Sequence, residues 1–165
     1  MVLSTVDENM QPYSRIVLLK EVTVEGFIFF TNYEGHKARQ IAVNNRVCLL
    51  FFWPKMERQV RIEGSVEKIS ETLSTAYFMT RPIESRIGAW ASPQSQVIHS
   101  QDFLEQQYEY YRKKFGDNVP KPPFWGGFIV KPSSIEFWQG RPNRLHDRLL
   151  FSIDLGEWKI SRLAP

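Results

Sequence analysis

The chain has 165 residues, 42% of them hydrophobic and 24% charged, which is the size and balance of one globular domain and excludes a disordered chain or a disulfide-stapled miniprotein. Its longest apolar run, Val47 to Trp53, falls far short of the ~20 residues of a membrane helix, and the start Met1-Val2-Leu3-Ser4-Thr5 has neither region of a signal peptide. A net charge of +3 with 14% aromatic residues fits two readings, a groove for single-stranded nucleic acid or a pocket for a small aromatic phosphate. The lone Cys48 lies in an apolar run, which reads as a core residue in a reducing compartment and leads us to expect a cytoplasmic protein.

Strand signals dominate. Val2 to Val6 predicts a strand closed by a turn at Asp7-Glu8-Asn9, and Ser14 to Lys20 a second, paired as a hairpin with Gly26 to Thr31 across Glu21 to Glu25. Glu34 to Val43 reads as a short helix. Arg46 to Trp53 is the most apolar strand, stopped by Pro54. Gln59 to Lys68 alternates Val60, Ile62 and Val66 against polar neighbours, a half-buried strand in which Gly64 marks a bulge. Ser70 is the N-cap of a helix running to about Arg81, where Pro82 interrupts it. Asp102 and Glu105 form a capping box for a third helix with Leu104, Tyr108, Tyr111 and Phe115 as its core stripe. A Pro-rich loop, Val119 to Pro123, precedes strands at Trp125 to Val130, Ser134 to Trp138, Arg148 to Ile153 and Trp158 to Arg162. Eight or nine short strands with two or three helices outside predict a mostly β, antiparallel barrel.

Metal chemistry has little support. His36, His99 and His146 are widely separated, no cysteine pair exists, and neither HExxH nor CxxC spacing occurs; no metal site is expected. Gly-rich phosphate loops and a GxSxG elbow are also absent. What remains are basic and hydroxyl residues near element ends. Arg15 and Lys20 frame one strand. Thr31, His36 and Lys37 sit at a strand-to-helix junction, where backbone N–H groups favour an anion. Tyr77 and Arg81 share one helical face, with Ser85 just beyond. Near the C-terminus, Arg144 and His146 alternate, so on extended chain they face one side, beside Trp138 and Asp147. Acidic residues at Glu57, Glu63, Glu67, Glu136 and Asp147 would interrupt a basic stripe tracking a nucleic-acid backbone, so neither a nucleic acid nor a membrane is expected as a partner.

Several stretches together resemble one family, the pyridoxine (pyridoxamine) 5′-phosphate oxidases: Arg15 to Lys20, Phe30-Thr31-Asn32, Glu57 to Val60, Arg81-Pro82 with Ile87 to Trp90, Trp125-Gly126-Gly127, and Glu136 to Gly140 with Arg144-Leu145-His146-Asp147-Arg148. The likeness runs in order along nearly the whole chain, and the last stretch is its most specific part. It implies an FMN-binding split β-barrel with flanking helices, forming a homodimer with its active sites at the subunit interface. By this resemblance Arg15, Ile16, Val17, Leu18, Leu19, Lys20, Phe30, Thr31, His36, Lys37, Gln59, Gln94, Ser95, Trp138 and Arg148 fall on FMN-contact positions. Lys20, Tyr77, Arg81 and Ser85 fall where the substrate phosphate is held. Arg144, Leu145 and His146 fall at the pyridine ring, with Arg144 and His146 as the catalytic pair. The implied reaction oxidises pyridoxine 5′-phosphate or pyridoxamine 5′-phosphate to pyridoxal 5′-phosphate, with O2 reoxidising the flavin to give hydrogen peroxide. A non-catalytic FMN- or PLP-binding split-barrel protein is the alternative.

Three positions depart from the family pattern: His36 stands where an arginine is usual, Phe30 where some members have tyrosine, and Pro93 precedes Gln94-Ser95. Imidazole is a weaker anion holder than a guanidinium at neutral pH. Members also carry a further N-terminal segment that closes over the site; the expectation is a single split-barrel domain over 1–165 that either lacks this extension or is a sequence from which it has been cut.

Overall fold

The computed structural model describes every residue from Met1 to Pro165. In chain order the elements are β1 (Val2–Val6), β2 (Pro12–Ile16), β3 (Glu21–Val22), β4 (Phe27–Asn32), α1 (His36–Val43), β5 (Arg46–Trp53), β6 (Arg58–Lys68), α2 (Glu71–Thr80), α3 (Ile83–Ala91), α4 (Gln101–Phe115), β7 (Trp125–Gln139), β8 (Asp147–Asp154) and β9 (Glu157–Arg162). The strands form one sheet in the order β2-β1-β5-β6-β7-β4-β3, with β8 joined to β7 and β9 to β8. β1 pairs antiparallel with β2 and β5, β5 with β6, β3 with β4, and β8 with both β7 and β9. This is the mostly antiparallel sheet with flanking helices that the strand spacing predicts. No helix is long and apolar enough to cross a membrane. By internal packing the chain divides into two compact units, one made of residues 1–29, 40–67 and 129–165, the other of 30–39 and 68–128.

In the first unit the alternation of β1 turns Leu3 and Thr5 inward, and these pack with Val47, Leu49, Ile62, Val66 and Val130 as buried residues. β1, β5 and β6 lie where their hydrophobic patterns place them, but three other expectations need correction. Ser14 to Lys20 is not one strand: β2 ends at Ile16 where its partner β1 runs out at the N-terminus, and β3 makes the hairpin with β4 instead. Gly64 marks no bulge against β5, because the β5–β6 register is unbroken from Arg46↔Ser65 to Trp53↔Arg58. Its lack of a side chain answers a close approach, since a Cβ there would lie 2.1 Å from the Lys131 carbonyl oxygen. β7 is one continuous strand through Pro132, not two; Ser133 Oγ donates to the Glu63 carbonyl there, replacing part of the pairing a proline cannot make.

In the second unit, Ser70 caps α2 by accepting from Leu73 N, as expected. Beyond Pro82 the chain re-enters a helix, α3, which the proline obscured although Ile83, Ile87 and Ala91 recur at helical spacing. The cap of α4 is Ser100, accepting from Phe103 N, and not the Asp102–Glu105 box. No residue of the expected stripe is fully buried: Tyr111 and Phe115 stack on one another and meet the Trp90 ring at a tilt, whereas Leu104 and Tyr108 line a surface cleft. The Pro-rich loop is held by Lys121, whose ammonium donates to the Pro122 and Trp125 carbonyls and pairs with Glu71.

One buried charge ties three strands of the first unit together. Glu136 on β7 is only 3% exposed and takes Arg148 Nε of β8 at 2.7 Å and Arg61 Nη2 of β6 at 2.8 Å. The hydrogen bond from Arg148, with the charge of Arg61, holds the carboxyl below the usual carboxylate range against the opposing effect of burial. A lowered folded-state pKa gives stability that is complete above the ordinary glutamate range and lost as pH falls through the folded value. Glu136→Gln is therefore expected to cost about 1–3 kcal/mol at pH 7, and the difference from the parent protein should vanish well below pH ~4. Urea unfolding at the two pH values measures this; an equal difference at both would contradict it.

Candidate active site

Each compact unit carries its own set of candidate residues. In the second unit, β4 delivers Thr31 to the turn before α1. There Lys37 Nζ donates to Thr31 Oγ1 at 3.1 Å and to Gln94 Oε1 at 2.9 Å, and Thr31 Oγ1 donates to Gln94 Oε1 at 3.1 Å. Gly35 makes this seat, since a Cβ there would lie 2.7 Å from Gln94 Oε1. Thr31, Lys37 and Gln94 are thus drawn into one cationic cluster at the start of α1. His36 is exposed on the first turn of α1, and Ser95, also exposed, has a left-handed backbone with φ 69°. An ammonium, a hydroxyl and a helix start are a donor set suited to a phosphate.

The same unit holds an aromatic wall. Phe30 stacks on Tyr77 with ring centroids 3.8 Å apart, and both rings lie nearly parallel to Trp125. Arg81 lies over Trp125, 4.8 Å from its centroid, in a favourable cation–π position. Its Nη1 is buried without a hydrogen-bond partner, and burial pushes its pKa below the ordinary arginine value. The guanidinium nevertheless remains a cation at neutral pH. A buried, charged donor with nothing to donate to is costly, and an anion would relieve it. Ser85 is half-buried on the first turn of α3, beyond the Pro82 junction.

In the first unit, Arg15 on β2 donates to the Leu3 carbonyl, Thr5 Oγ1 and Gln40 Oε1. Neither Thr5 nor Gln40 was flagged by motif; the inward alternation of β1 and a buried amide on α1 were their available signals. Downstream, Ile16 and Leu18 are 80% and 65% exposed, so this apolar run is not core, while Val17 and Leu19 are half-buried and Lys20 is exposed, its backbone N–H donating to the Ile28 carbonyl. Gln59 and Trp138 line one cleft of about 370 Å³ with Trp53, Phe137 and Asp147. Arg148 pairs with Trp138 across the β7–β8 ladder, but its Nε is engaged by Glu136 and its Nη1 by the Ala164 carbonyl.

Arg144 and His146 do not alternate on a strand as expected. Pro142–Arg144 is a short 3-10 turn, and β8 begins only at Asp147. Asn143 and Arg144 both have left-handed backbones, φ 60° and 61°. Asparagine tolerates this; for arginine it is a strained conformation of the kind found at functional positions. Arg144 is exposed and forms no hydrogen bond or ion pair within the chain, and Leu145 beside it is exposed too. The turn is held by Asp147, which takes Arg141 Nε at 2.8 Å and Arg162 Nη1 at 2.9 Å; these hydrogen bonds keep its carboxyl below the usual range. His146 lies 4.8 Å from the Trp138 ring, and its Nδ1 accepts from the Arg141 backbone N–H at 3.1 Å. An accepting Nδ1 puts the proton of the neutral ring on Nε2, so His146 presents a donor outward.

Comparison with known proteins places the chain in a family. The family model described as pyridoxamine 5′-phosphate oxidase matches residues 1–115, and that of the pyridoxine 5′-phosphate oxidase C-terminal dimerisation region matches 125–165. The chain is 55% identical to a pyridoxine/pyridoxamine 5′-phosphate oxidase of Cupriavidus necator over 166 residues, and 56% identical to one of Burkholderia mallei over 168. Both alignments cover 100% of this chain and 78% of the relative. Among solved structures, PhzG from Burkholderia lata in complex with tetrahydrophenazine-1-carboxylic acid superposes with a TM-score of 0.94 at 25% identity, covering 99% of this chain and 81% of that one. An FMN-binding, pyridoxamine 5′-phosphate oxidase-related protein of Nostoc punctiforme shares the fold, with a TM-score of 0.80 at 19% identity over 99% of this chain and 86% of its own. The fold, both halves of the sequence and the order of its motifs agree: the chain belongs to the pyridoxamine 5′-phosphate oxidase family.

Proposed function

We propose that the chain oxidises pyridoxine 5′-phosphate or pyridoxamine 5′-phosphate to pyridoxal 5′-phosphate, with FMN as cofactor and as a homodimer. The observation that carries this reading is Arg81, a half-buried cation whose Nη1 is buried without a partner and which is set over an aromatic wall, an arrangement that suits a small aromatic phosphate. The names of the relatives at 55% and 56% identity support the same substrates. The Lys37–Thr31–Gln94 cluster at the start of α1 fits a second phosphate, that of FMN, together with the remaining cofactor positions named from the sequence. When bound, FMN would supply a two-electron acceptor for oxidation of the C4′ carbon, with O2 as the final oxidant and hydrogen peroxide as its product.

The chain's own work is binding and orientation. Arg81, with Tyr77 and Ser85, grips the substrate phosphate and anchors the far end of the ring. Arg144 is held outward by its strained turn, unpaired, where a permanent positive charge polarises the ring beside the reacting carbon. His146 donates through Nε2 to an acceptor on the ring, and takes no proton there. The dimerisation region matched by 125–165 supports the homodimer, as do the exposed apolar residues Ile153, Trp158 and Ile160 of β8 and β9.

Arg81→Met should raise the KM for pyridoxine 5′-phosphate by on the order of 10–100-fold, the loss expected for a charged hydrogen bond, with FMN affinity unchanged. An unchanged KM would remove Arg81 from the phosphate site. The donor role of His146 separates two replacements. His146→Gln keeps an N–H at a similar reach and should retain kcat within about tenfold of the parent, while His146→Ala loses about a hundredfold. Equal losses in the two variants, read from peroxide release, would favour a proton-accepting role instead.

A further inference from the structure

We infer that Thr5 and Gln40 are positioning residues that aim Arg15 at the cofactor; the inference rests on the reading of Arg15 as an FMN contact. A guanidinium carries five N–H groups in a rigid plane, and the structure accounts for three of them. Nη1 donates to the Leu3 carbonyl at 3.2 Å and to Thr5 Oγ1 at 2.6 Å, and Nη2 donates to Gln40 Oε1 at 3.0 Å. The two side-chain acceptors are themselves joined, the Thr5 hydroxyl donating to Gln40 Oε1 at 2.7 Å. They therefore sit side by side across the terminal nitrogens and occupy the end-on edge of the fork. Nε–H and the second N–H of Nη2 remain, and these two lie parallel along the other edge. That edge is the one that meets two oxygens of an anion at once.

Every partner of Arg15 is neutral. The guanidiniums of Arg148 and Arg141 are met by Glu136 and Asp147, so their charge is cancelled where they stand. The Thr5–Gln40 pair fixes a direction and leaves the charge available. It also removes most of the rotamer freedom that a loose arginine would lose on binding, a cost of about 2 kcal/mol in a free side chain. The pair is deeply placed, Thr5 at 1% and Gln40 at 8% exposure. The Thr5 hydroxyl is spent on this network as both donor and acceptor, and Gln40 Oε1 accepts from both neighbours. Apolar side chains of the same shape would fill the space equally well and hold nothing in place.

The test is a double-mutant cycle read as the Kd of the FMN-free protein for FMN, by quenching of flavin fluorescence. Thr5→Val preserves shape and should weaken FMN binding about 5–20-fold in the parent protein but less than about twofold in an Arg15→Met background. Gln40→Glu provides the second reading. It places a carboxylate against Arg15, so FMN affinity should fall while the thermal midpoint of the FMN-free protein stays level or rises. Loss of affinity and stability together in Gln40→Glu, or an equal penalty for Thr5→Val in both backgrounds, would make the pair a structural feature only and overturn the inference. A parent protein that binds no FMN would overturn the cofactor reading itself, a separate and recognisable result.

Discussion

The candidate residues of the first unit hang on a single buried carboxylate. Glu136 binds an arginine from β6 and another from β8, so it sets how three neighbouring strands meet at the end where they carry Gln59, Trp138 and the turn bearing Arg144. Arg148 extends the same tie to the Ala164 carbonyl in the last residues of the chain. A buried charge is costly unless paired on all sides, and that demand makes the arrangement specific: no shifted register of β6, β7 or β8 would satisfy it. The strained turn after β7 is affordable because Asp147, Arg141 and Arg162 close it from the outside.

The arginines of this protein divide by what they face. Those paired with carboxylates, such as Arg148, Arg61 and Arg141, tie strands and a turn to one another. Those left with neutral partners or none, such as Arg15, Arg81 and Arg144, keep their charge for something that is not protein. Two phosphorylated aromatic molecules would use such charges well, and the aromatic wall of Phe30, Tyr77 and Trp125 supplies the apolar surface that belongs with them.

Much of the fold is legible in local sequence. The alternation in β6, the apolar run of β5 and the Ser70 cap report short-range rules that their surroundings do not overturn. The cap of α4 and the start of α3 are misjudged locally, but other misjudged features are decided at long range. Pro132 does not break β7 because the backbone there packs over Gly64 and is served by Ser133. Gly64 is read as a bulge when its reason is a strand distant in sequence. Arg144 and His146 are singled out by residue type, but their geometry comes from a turn whose left-handed residues leave no sequence mark beyond Asn143. The Glu136 partner of Arg148 leaves no local sequence mark, and Thr5 and Gln40 have no motif at all. The family likeness supplied the chemistry; only the structure separates arginines that are engaged from those that are not.

The account's central claim is that the uncommitted cations and rings hold a flavin and a B6 phosphate so that one reduces the other. The direct measurement is the visible spectrum of the FMN-loaded protein under anaerobic conditions, before and after addition of pyridoxine 5′-phosphate. The account predicts that the yellow flavin band bleaches on addition and returns when air is admitted, with pyridoxal 5′-phosphate and peroxide formed together. A flavin band that persists in the presence of saturating pyridoxine 5′-phosphate and pyridoxamine 5′-phosphate would contradict it.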